Sequence, residues 1–518
     1  MTQGSHEQFS RLIDTPTGTE EFKTKTVRSG AYAMTGEAVD FVLRLASVVI
    51  LARLLAPEYF GLISMVTAVT AIADRFKDLG LASATIQSPT LTYAQLSTLF
   101  WVNTLVGIVM AGAVAALAYP IALFYGDPRL TYITLAIATS FLWSGAANQH
   151  HALLRRTMRF RQIAVIQVAA SALSIVVAVA MAIQGLGYWA LVAREVSRNV
   201  FVSVGAWICF PWMPGLPSMS SGVGRMLRFG ADITGFNVAF FISQSMDQVL
   251  IGRIFGAHAL GIYRQGYQLV LAPMNQIAYP VRVVTESALS RLQTEVEAYQ
   301  RYYRNILKAV SLVTIPLGLF MAVYAEEIVA VVLGEQWLDA IPIFRVLAIA
   351  AFLQPAGATA GAVMISCGHS RRFFWLGLLS SVVLVLLFVA GIPYGPTGVA
   401  SAHIWALWLL LVPKLYWSFK NTPVSVGIFF SSIARPLAAG TAMVAVSLAF
   451  KSVRLTGPDA AGLAGDLAVA AAVYLGACLL IPGGRAELTG LVSGVAEPLG
   501  LSRFLPAWAT PAANNRLP

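Results

Sequence analysis

The stretch ILARLLAPEYFGL, residues 50–62, joins the end of one long apolar segment to the start of the next. A related stretch, IGRIFGAHALGI, follows at residues 251–262 and keeps the eight-residue separation between an arginine and a glycine. A shift of 200 residues relates the two stretches. The recurrence predicts a duplicated domain in which two helices turn at this point. The structural residues of the two turns would be Arg53, Gly61, Arg253 and Gly261.

The composition is that of a membrane protein. Of the 518 residues, 57% are hydrophobic and 11% are charged, whereas soluble proteins carry roughly 25% charged residues. The three cysteines show no metal-ligand spacing and suggest no disulfide framework. In a soluble protein the net charge of +11 would suggest nucleic acid, but here it indicates basic cytoplasmic loops. We therefore expect a polytopic membrane protein with no nucleic-acid partner, no metal and no cofactor.

Apolar segments of about 20 residues, the length that crosses a bilayer as a helix, occur fourteen times. The predicted spans are residues 30–55, 59–80, 95–120, 130–152, 162–184, 187–210, 227–252, 259–282, 304–330, 340–366, 373–393, 397–419, 426–450 and 462–482. The expected fold class is therefore all-α, with about fourteen transmembrane helices. Twelve or thirteen spans are the alternative, since the fifth and sixth spans are separated only by residues 184–187.

The distribution of basic residues predicts the orientation. With the N-terminus in the cytoplasm, 24 of the 35 Lys and Arg residues fall on inside segments and five at outside ends. Cytoplasmic loops of membrane proteins carry such an excess. Both termini are therefore expected inside, with an even number of spans.

Other landmarks recur in the same order as the opening stretch. Gly126-Asp127 resembles Gly334-Glu335, and the arginine pair 155–156 resembles the pair 371–372. Six spans separate the copies, so both cross the membrane in the same sense and form a parallel repeat. We expect two six-helix lobes in a V around a central cavity. The predicted segments are a cytoplasmic tail 1–28, an N-lobe 29–211, a cytoplasmic linker 212–225, a C-lobe 226–420, two further spans 421–484 and a cytoplasmic tail 485–518.

One face of the first span carries polar residues at helical spacing. They are Glu37, Asp40, Arg44 and Ser47, and the 200-residue shift places Asn237, Gln244 and Asp247 on the matching face of span seven. An ionisable group in hydrocarbon costs about 2.5–3.5 kcal/mol, so it usually faces a polar interior. The stripes therefore predict an aqueous cavity between the lobes. The alternative is that Glu37, Asp40 and Arg44 neutralise one another within their own helix.

Two more spans carry polar pairs one turn apart. Arg264 and Gln268 lie on span eight, and Arg194 and Arg198 lie on span six. For the span-six pair, structural pairing with Glu195 is the alternative to a place in the cavity. The sequence contains no P-loop and no hydrolase motif, so we expect a transporter that ATP does not drive directly.

Several short motifs resemble one membrane family. They are Leu51–Leu62, Asp78-Leu-Gly-Leu-Ala82, Leu99-Phe-Trp-Val-Asn103, Arg156-x-Met158-x-Phe160, Asp247-x-x-Leu250-Ile-Gly-Arg253 and Ala288-Leu-Ser-Arg-Leu-Gln293. Together they resemble the Wzx-type polysaccharide flippases of the multidrug/oligosaccharidyl-lipid/polysaccharide exporter superfamily. The resemblance implies transfer of an undecaprenyl-diphosphate-linked oligosaccharide across the bacterial inner membrane, for exopolysaccharide, capsule or O-antigen (lipopolysaccharide) assembly.

The resemblance also implies roles for the polar residues. Arginines in the cavity would meet the diphosphate, and by position rather than by a strict motif Arg44 and Arg264 are the best candidates. Further substrate contacts are expected from Asn237, Gln244, Gln268, Arg194 and Arg198, and coupling to H⁺ or Na⁺ from Glu37, Asp40 and Asp247. The expected partners are the lipid-linked oligosaccharide and membrane lipids, with a polysaccharide polymerase and co-polymerase as candidates. An ion-coupled multidrug antiporter and a membrane polysaccharide polymerase are the alternative functions.

Overall fold

A computed structural model describes residues 19–76, 81–88, 91–218, 245–453, 459–482 and 484. These residues form α-helices, two short 3₁₀ turns and no β-strand. The α-helices are α1 (Thr19–Leu54), α2 (Pro57–Phe76), α3 (Leu81–Gln87), α4 (Tyr93–Ala116), α5 (Ala118–Tyr125), α6 (Arg129–Arg156), α7 (Phe160–Ile183), α8 (Tyr188–Cys209), α9 (Met246–Arg291), α10 (Val296–Val323), α11 (Ala325–Val332), α12 (Ile341–Ala351), α13 (Gln354–Ser366), α14 (Ser370–Gly391), α15 (Gly395–Phe419), α16 (Val426–Val453) and α17 (Ala460–Leu480).

The helices match the predicted membrane spans closely. Eight helical segments of the described chain are long and apolar enough to cross a membrane, and one of them, residues 370–419, contains both α14 and α15. Helices α1, α2, α8 and α9 each carry three or more charged residues and fall outside that simple criterion. The all-α class is confirmed, and fourteen spans are compatible with the structure. Most of span seven lies outside the described residues.

Three predicted spans are each broken into two helices. Span three comprises α4 and α5, span nine comprises α10 and α11, and span ten comprises α12 and α13. In spans three and ten the second helix has a proline in its first turn, Pro120 in α5 and Pro355 in α13. Proline has no N–H to donate and its ring clashes with the preceding turn. A break one turn upstream is therefore expected, but hydrophobicity alone does not reveal it.

The described contacts divide the chain into two compact units, Met1–Arg264 and Gln265–Pro518. In the first unit α1 packs along α7, α7 along α8, and α4 along α6. In the second unit α10 packs against α16, and α16 packs against α17. The buried core of the second unit includes Tyr299, Tyr303 and Phe429. The division falls within α9, which changes direction at Gly256, where φ is 83°.

The two related stretches of sequence contact each other within the first unit. A Cβ atom on Gly61 would lie 1.7 Å from the Ala257 carbonyl oxygen, and one on Gly261 would lie 1.9 Å from the Pro57 carbonyl oxygen. The 200-residue shift relates position 57 to 257 and position 61 to 261. The contact is therefore reciprocal, as in an interface about a two-fold axis, and only glycine fits at either position. We call it the glycine contact.

The matched positions of the two stretches also share their exposure. Leu51 and Ile251 are both fully buried, and Arg53 and Arg253 are both exposed. The Arg253 guanidinium lies over the Phe124 ring, 5.7 Å from its centroid. The structural role of Arg53 and Arg253 in the two turns stays a prediction.

Part of the predicted linker is fixed to α4. The Tyr93 hydroxyl donates to the Met213 carbonyl oxygen at 2.7 Å, and the Trp101 indole N–H donates to the Gly215 carbonyl oxygen at 2.8 Å. In return, the Gly215 N–H donates to the Ser97 hydroxyl at 2.9 Å. The Pro- and Gly-rich composition of residues 211–218 therefore accompanies an extended segment held by hydrogen bonds. Residues 219–225 of the linker lie outside the described residues.

Candidate functional site

Asp40 is the centre of a polar cluster in the first unit. It lies on α1 and is 4% exposed. The Arg44 Nε atom, one turn further along α1, is 3.1 Å from Asp40 Oδ2. The Arg44 Nη2 atom also lies 2.8 Å from Glu37 Oε1. The intrahelical pairing that the sequence left as an alternative is therefore present.

Helices α7 and α8 complete the cluster. The Ser171 hydroxyl of α7 donates to Asp40 Oδ1. The Arg198 Nε atom of α8 donates to the Ser171 hydroxyl at 3.3 Å, and its Nη2 atom donates to Gln167 Oε1 at 3.1 Å. The same Nη2 atom lies 3.9 Å from Asp40 Oδ2. Asp40 therefore faces arginines from two helices. We call Glu37, Asp40, Arg44, Gln167, Ser171 and Arg198 the polar cluster.

Arg194 of α8 contacts the same face of α1 about one turn further along that helix, at Ser47. Its Nη1 atom donates to the Ser47 hydroxyl at 3.0 Å, and Ser47 is 2% exposed. Both arginines of α8 therefore contact the stripe on α1. The sequence raised pairing with Glu195 as the alternative for Arg194, and that pairing stays a prediction.

Sequence reasoning missed the contribution of α7. Gln167, Ser171 and Ser174 follow one another at spacings of four and three residues in a helix that is otherwise apolar after its first turn. Ser171 and Ser174 are almost fully buried. That pattern is the same signal that identified the stripe on α1, and it would have indicated a polar face on span five.

Exposure separates the members of the polar cluster into two kinds. Asp40 is enclosed, whereas the side chains of Arg44 and Glu37 are 50% and 63% exposed. An exposed ion pair contributes about 0–1 kcal/mol, so Arg44 can exchange Glu37 for another anion at little cost. Asp40 is held from three directions and stays in place. The arrangement can present a guanidinium to an anionic ligand and can keep a carboxylate beside it for a proton or cation.

The other predicted site residues are placed as follows. Asp247 is 1% exposed and accepts a hydrogen bond from the Tyr263 hydroxyl at 2.6 Å, which ties together the two parts of α9 on either side of Gly256. Arg264 is half-buried and Gln268 is exposed, one turn apart on α9. Asn237 and Gln244 lie outside the described residues.

Comparison with solved structures identifies the class of the fold. The chain is similar to the lipid II flippase MurJ in an inward closed conformation, with a TM-score of 0.70 at 13% sequence identity, over 90% of this chain and 99% of that one. The chain therefore has the all-helical membrane fold seen in MurJ.

Comparison with sequence families identifies the particular family. The model of the family described as polysaccharide biosynthesis protein matches residues 50–342, more than half of the chain. The protein belongs to this polysaccharide biosynthesis family, which confirms the resemblance drawn from the motifs.

Two curated relatives are named for the biosynthesis of cell-surface polymers. The lipopolysaccharide biosynthesis protein WzxC of Escherichia coli (strain K12) is 23% identical over 375 residues, 71% of this chain and 75% of that protein. The teichuronic acid biosynthesis protein TuaB of Bacillus subtilis (strain 168) is 27% identical over 384 residues, 72% of this chain and 78% of that protein.

Proposed function

We propose that the protein is a flippase that moves an undecaprenyl-diphosphate-linked oligosaccharide repeat unit across the bacterial inner membrane. The product would serve exopolysaccharide, capsule or O-antigen assembly. The observation that carries the proposal is the polar cluster within α1, α7 and α8 of a chain that belongs to a polysaccharide biosynthesis family. The likeness to a lipid II flippase in fold supports it.

The physical task explains why a membrane helix would carry this cluster. A diphosphate and several sugars must pass about 30 Å of hydrocarbon, whereas the polyprenyl tail can stay in lipid. The head group therefore needs a polar path, open first to the inside and then to the outside. Alternating access by two repeats that rock around a central site is the mechanism we propose.

Arg44 is the proposed first contact of the diphosphate. Arginine forms bidentate, charge-assisted hydrogen bonds with phosphate oxygens, and the Arg44 side chain is half-exposed. Binding would replace the weak pair with Glu37, while Asp40 stays bound to Ser171 and Arg198. Arg264 is proposed as the second arginine, and Arg194, Arg198, Gln268, Asn237 and Gln244 are proposed to bind the remaining head group.

The loss of Arg44 as a counter-charge suggests how transport is coupled. Once Arg44 turns to the diphosphate, Glu37 and Asp40 lose part of their counter-charge and would take up H⁺ or Na⁺. Asp247 is a third candidate, although its bond to Tyr263 also suits a structural role. Loading with the ion would then bias the inward–outward equilibrium.

The orientation and further partners belong to the same proposal. Both termini are proposed to lie in the cytoplasm, which puts the glycine contact on the outer side. A polysaccharide polymerase and its co-polymerase would receive the flipped repeat unit there.

The test is genetic complementation. In a strain that lacks the gene, the undecaprenyl-linked repeat unit should accumulate while polymer disappears, with polymerase activity intact. The wild-type gene should restore polymer, and the Arg44→Ala variant should give at least ten-fold less polymer at normal membrane levels. Arg44→Lys keeps the charge and should retain part of the output.

The opposite results would overturn the proposal. Normal polymer and no accumulated intermediate in the deletion strain, without a second flippase, would reject the flippase function. If the deletion strain instead became sensitive to lipophilic cations, the multidrug antiporter would be the better assignment.

A further inference from the structure

A pocket of about 330 Å³, partly open to solvent, lies at one end of the helices in the first unit. It is bounded by Glu58 at the start of α2, by the connection between α5 and α6, and by residues 255–258 where α9 changes direction. All three segments lie at the outer side in the orientation proposed above. The pocket is separate from the polar cluster, and none of its residues is in the proposed transport site.

The charged groups of the pocket are held in a fixed arrangement. The Arg129 Nη2 atom lies 2.6 Å from Glu58 Oε1 and 2.7 Å from Asp127 Oδ2, and its Nε atom donates to Asp127 Oδ1 at 3.0 Å. The hydrogen bond from Arg129 lowers the pKa of the Asp127 carboxyl below its ordinary value. Two carboxylates thus face one guanidinium, so these three side chains together carry a net charge of −1.

Both polar and apolar groups line the pocket. The Tyr125 hydroxyl is buried and has no hydrogen-bond partner among the described residues. Met65 and Phe255 add apolar surface. Ionised carboxylates accept hydrogen bonds and an arginine donates them, and the Tyr125 hydroxyl could do either. The combination suits a ligand that has many hydroxyl groups and apolar C–H faces.

Charge and size restrict the ligand further. The excess of carboxylate disfavours a diphosphate or an acidic sugar, which would meet like charge at close range. The volume is at the lower end of the range for small-ligand pockets, roughly 300–1,000 Å³, so it is too small for a lipid-linked oligosaccharide. One uncharged sugar residue satisfies both limits.

We propose that this pocket binds one neutral sugar residue of the transported oligosaccharide on the outer side of the membrane. The inference rests on the proposed function and names a second contact with the same substrate, after the head group has left the polar cluster. A sugar held here would delay the return of the head group into the transport path.

The experiment is protection of a cysteine from chemical labelling. Cys209, Cys367 and Cys478 are replaced by alanine, and His258→Cys places one thiol at the exposed edge of the pocket. A maleimide that does not cross membranes is added to right-side-out spheroplasts. The probe is the free oligosaccharide released by mild acid from the lipid-linked repeat unit of a polymerase-deficient strain. Labelling at position 258 should slow at least three-fold at millimolar probe.

Matched controls separate specific binding from general effects. Tyr394 lies at an exposed turn between α14 and α15, outside the pocket lining. The probe should not change the labelling of the Tyr394→Cys variant. Inorganic pyrophosphate should protect neither position. Tyr125→Trp fills the pocket and should abolish protection at position 258. If that variant does not reach the membrane, Asp127→Asn should weaken protection instead.

Two results would overturn the inference. Equal labelling at position 258 with and without the oligosaccharide would show that no sugar binds there, and protection by pyrophosphate would show an anion site. Polymer output in the complementation test is a separate readout. If the variant restores polymer but the oligosaccharide does not protect position 258, only the proposed sugar site is disproved. The flippase function is rejected separately, by normal polymer in the deletion strain.

Discussion

At the scale of the residue, Asp40 determines the arrangement of the polar cluster. Its carboxylate accepts from Ser171, binds Arg44 and lies near Arg198, so groups from three helices depend on it. Glu37 lies three residues before it on the same helix, but its side chain is 63% exposed and contacts Arg44 at the solvent side. Two carboxylates on one helical face therefore have very different structural importance.

The two carboxylates predict different losses of stability. Asp40→Ala removes a buried carboxylate that accepts a hydrogen bond from Ser171 and pairs with Arg44, and should cost roughly 1.5–3 kcal/mol, the range for hydrogen bonds to charged groups. Glu37→Gln removes an exposed pair and should cost less than about 1 kcal/mol. Thermal unfolding of the purified variants in one detergent compares them. Equal shifts in Tm would contradict the assigned importance of Asp40.

At the scale of the element, the glycine contact shows how the duplicated sequence is used. Each stretch supplies one glycine and one carbonyl oxygen, and the two contacts are related by the same 200-residue shift. Helices that lack a hydrophobic driving force between them associate through small residues that allow close approach. The repeat has kept the residue type that this approach requires.

A side chain in the glycine contact should have the same effect from either repeat. Gly61→Ala and Gly261→Ala each place a methyl group within 2 Å of a carbonyl oxygen, so the two stretches must separate. Both variants should lower Tm by several degrees, by similar amounts, and should reduce polymer output.

Gly112→Ala is the matched control for these variants. Gly112 lies within α4, where an added Cβ meets nothing within 4 Å. Alanine is favoured over glycine in a helix by roughly 0.5–1 kcal/mol, so this variant should be neutral or slightly stabilised. Wild-type stability in the Gly61→Ala variant would show that the contact is not formed.

At the scale of the whole molecule, the distribution of basic residues predicts which side of the membrane each loop faces. The helices alone do not indicate this orientation. The segment between α9 and α10 is predicted to face the cytoplasm, and the segment after α11 is predicted to face outside. Two fusions test this. Alkaline phosphatase, which is active only outside, should be active when fused after Gly334 and inactive when fused after Gln293. The reverse pattern would reject the predicted orientation.

Much of the fold follows from the sequence because hydrophobic length is a local property. A helix that crosses a bilayer must bury its backbone hydrogen bonds within one apolar segment, so nearly every described helix coincides with a predicted span. Proline breaks such as the one before Gln354 do not change hydrophobicity and were therefore missed. The stretch between predicted spans eight and nine is likewise largely taken up by the ends of α9 and α10.

The sequence predicted only part of the candidate site. The stripe on α1 could be identified because charge in hydrocarbon is costly wherever it occurs, and helical spacing gives its face. The partners of Asp40 could not be identified, since Ser171 is 131 residues away and pairing depends on how each helix is rotated. The sequence by itself determined the spans, the repeat and the polar face of α1. The tertiary structure alone decided which groups meet there, because contacts between distant helices arise from packing and leave no local pattern.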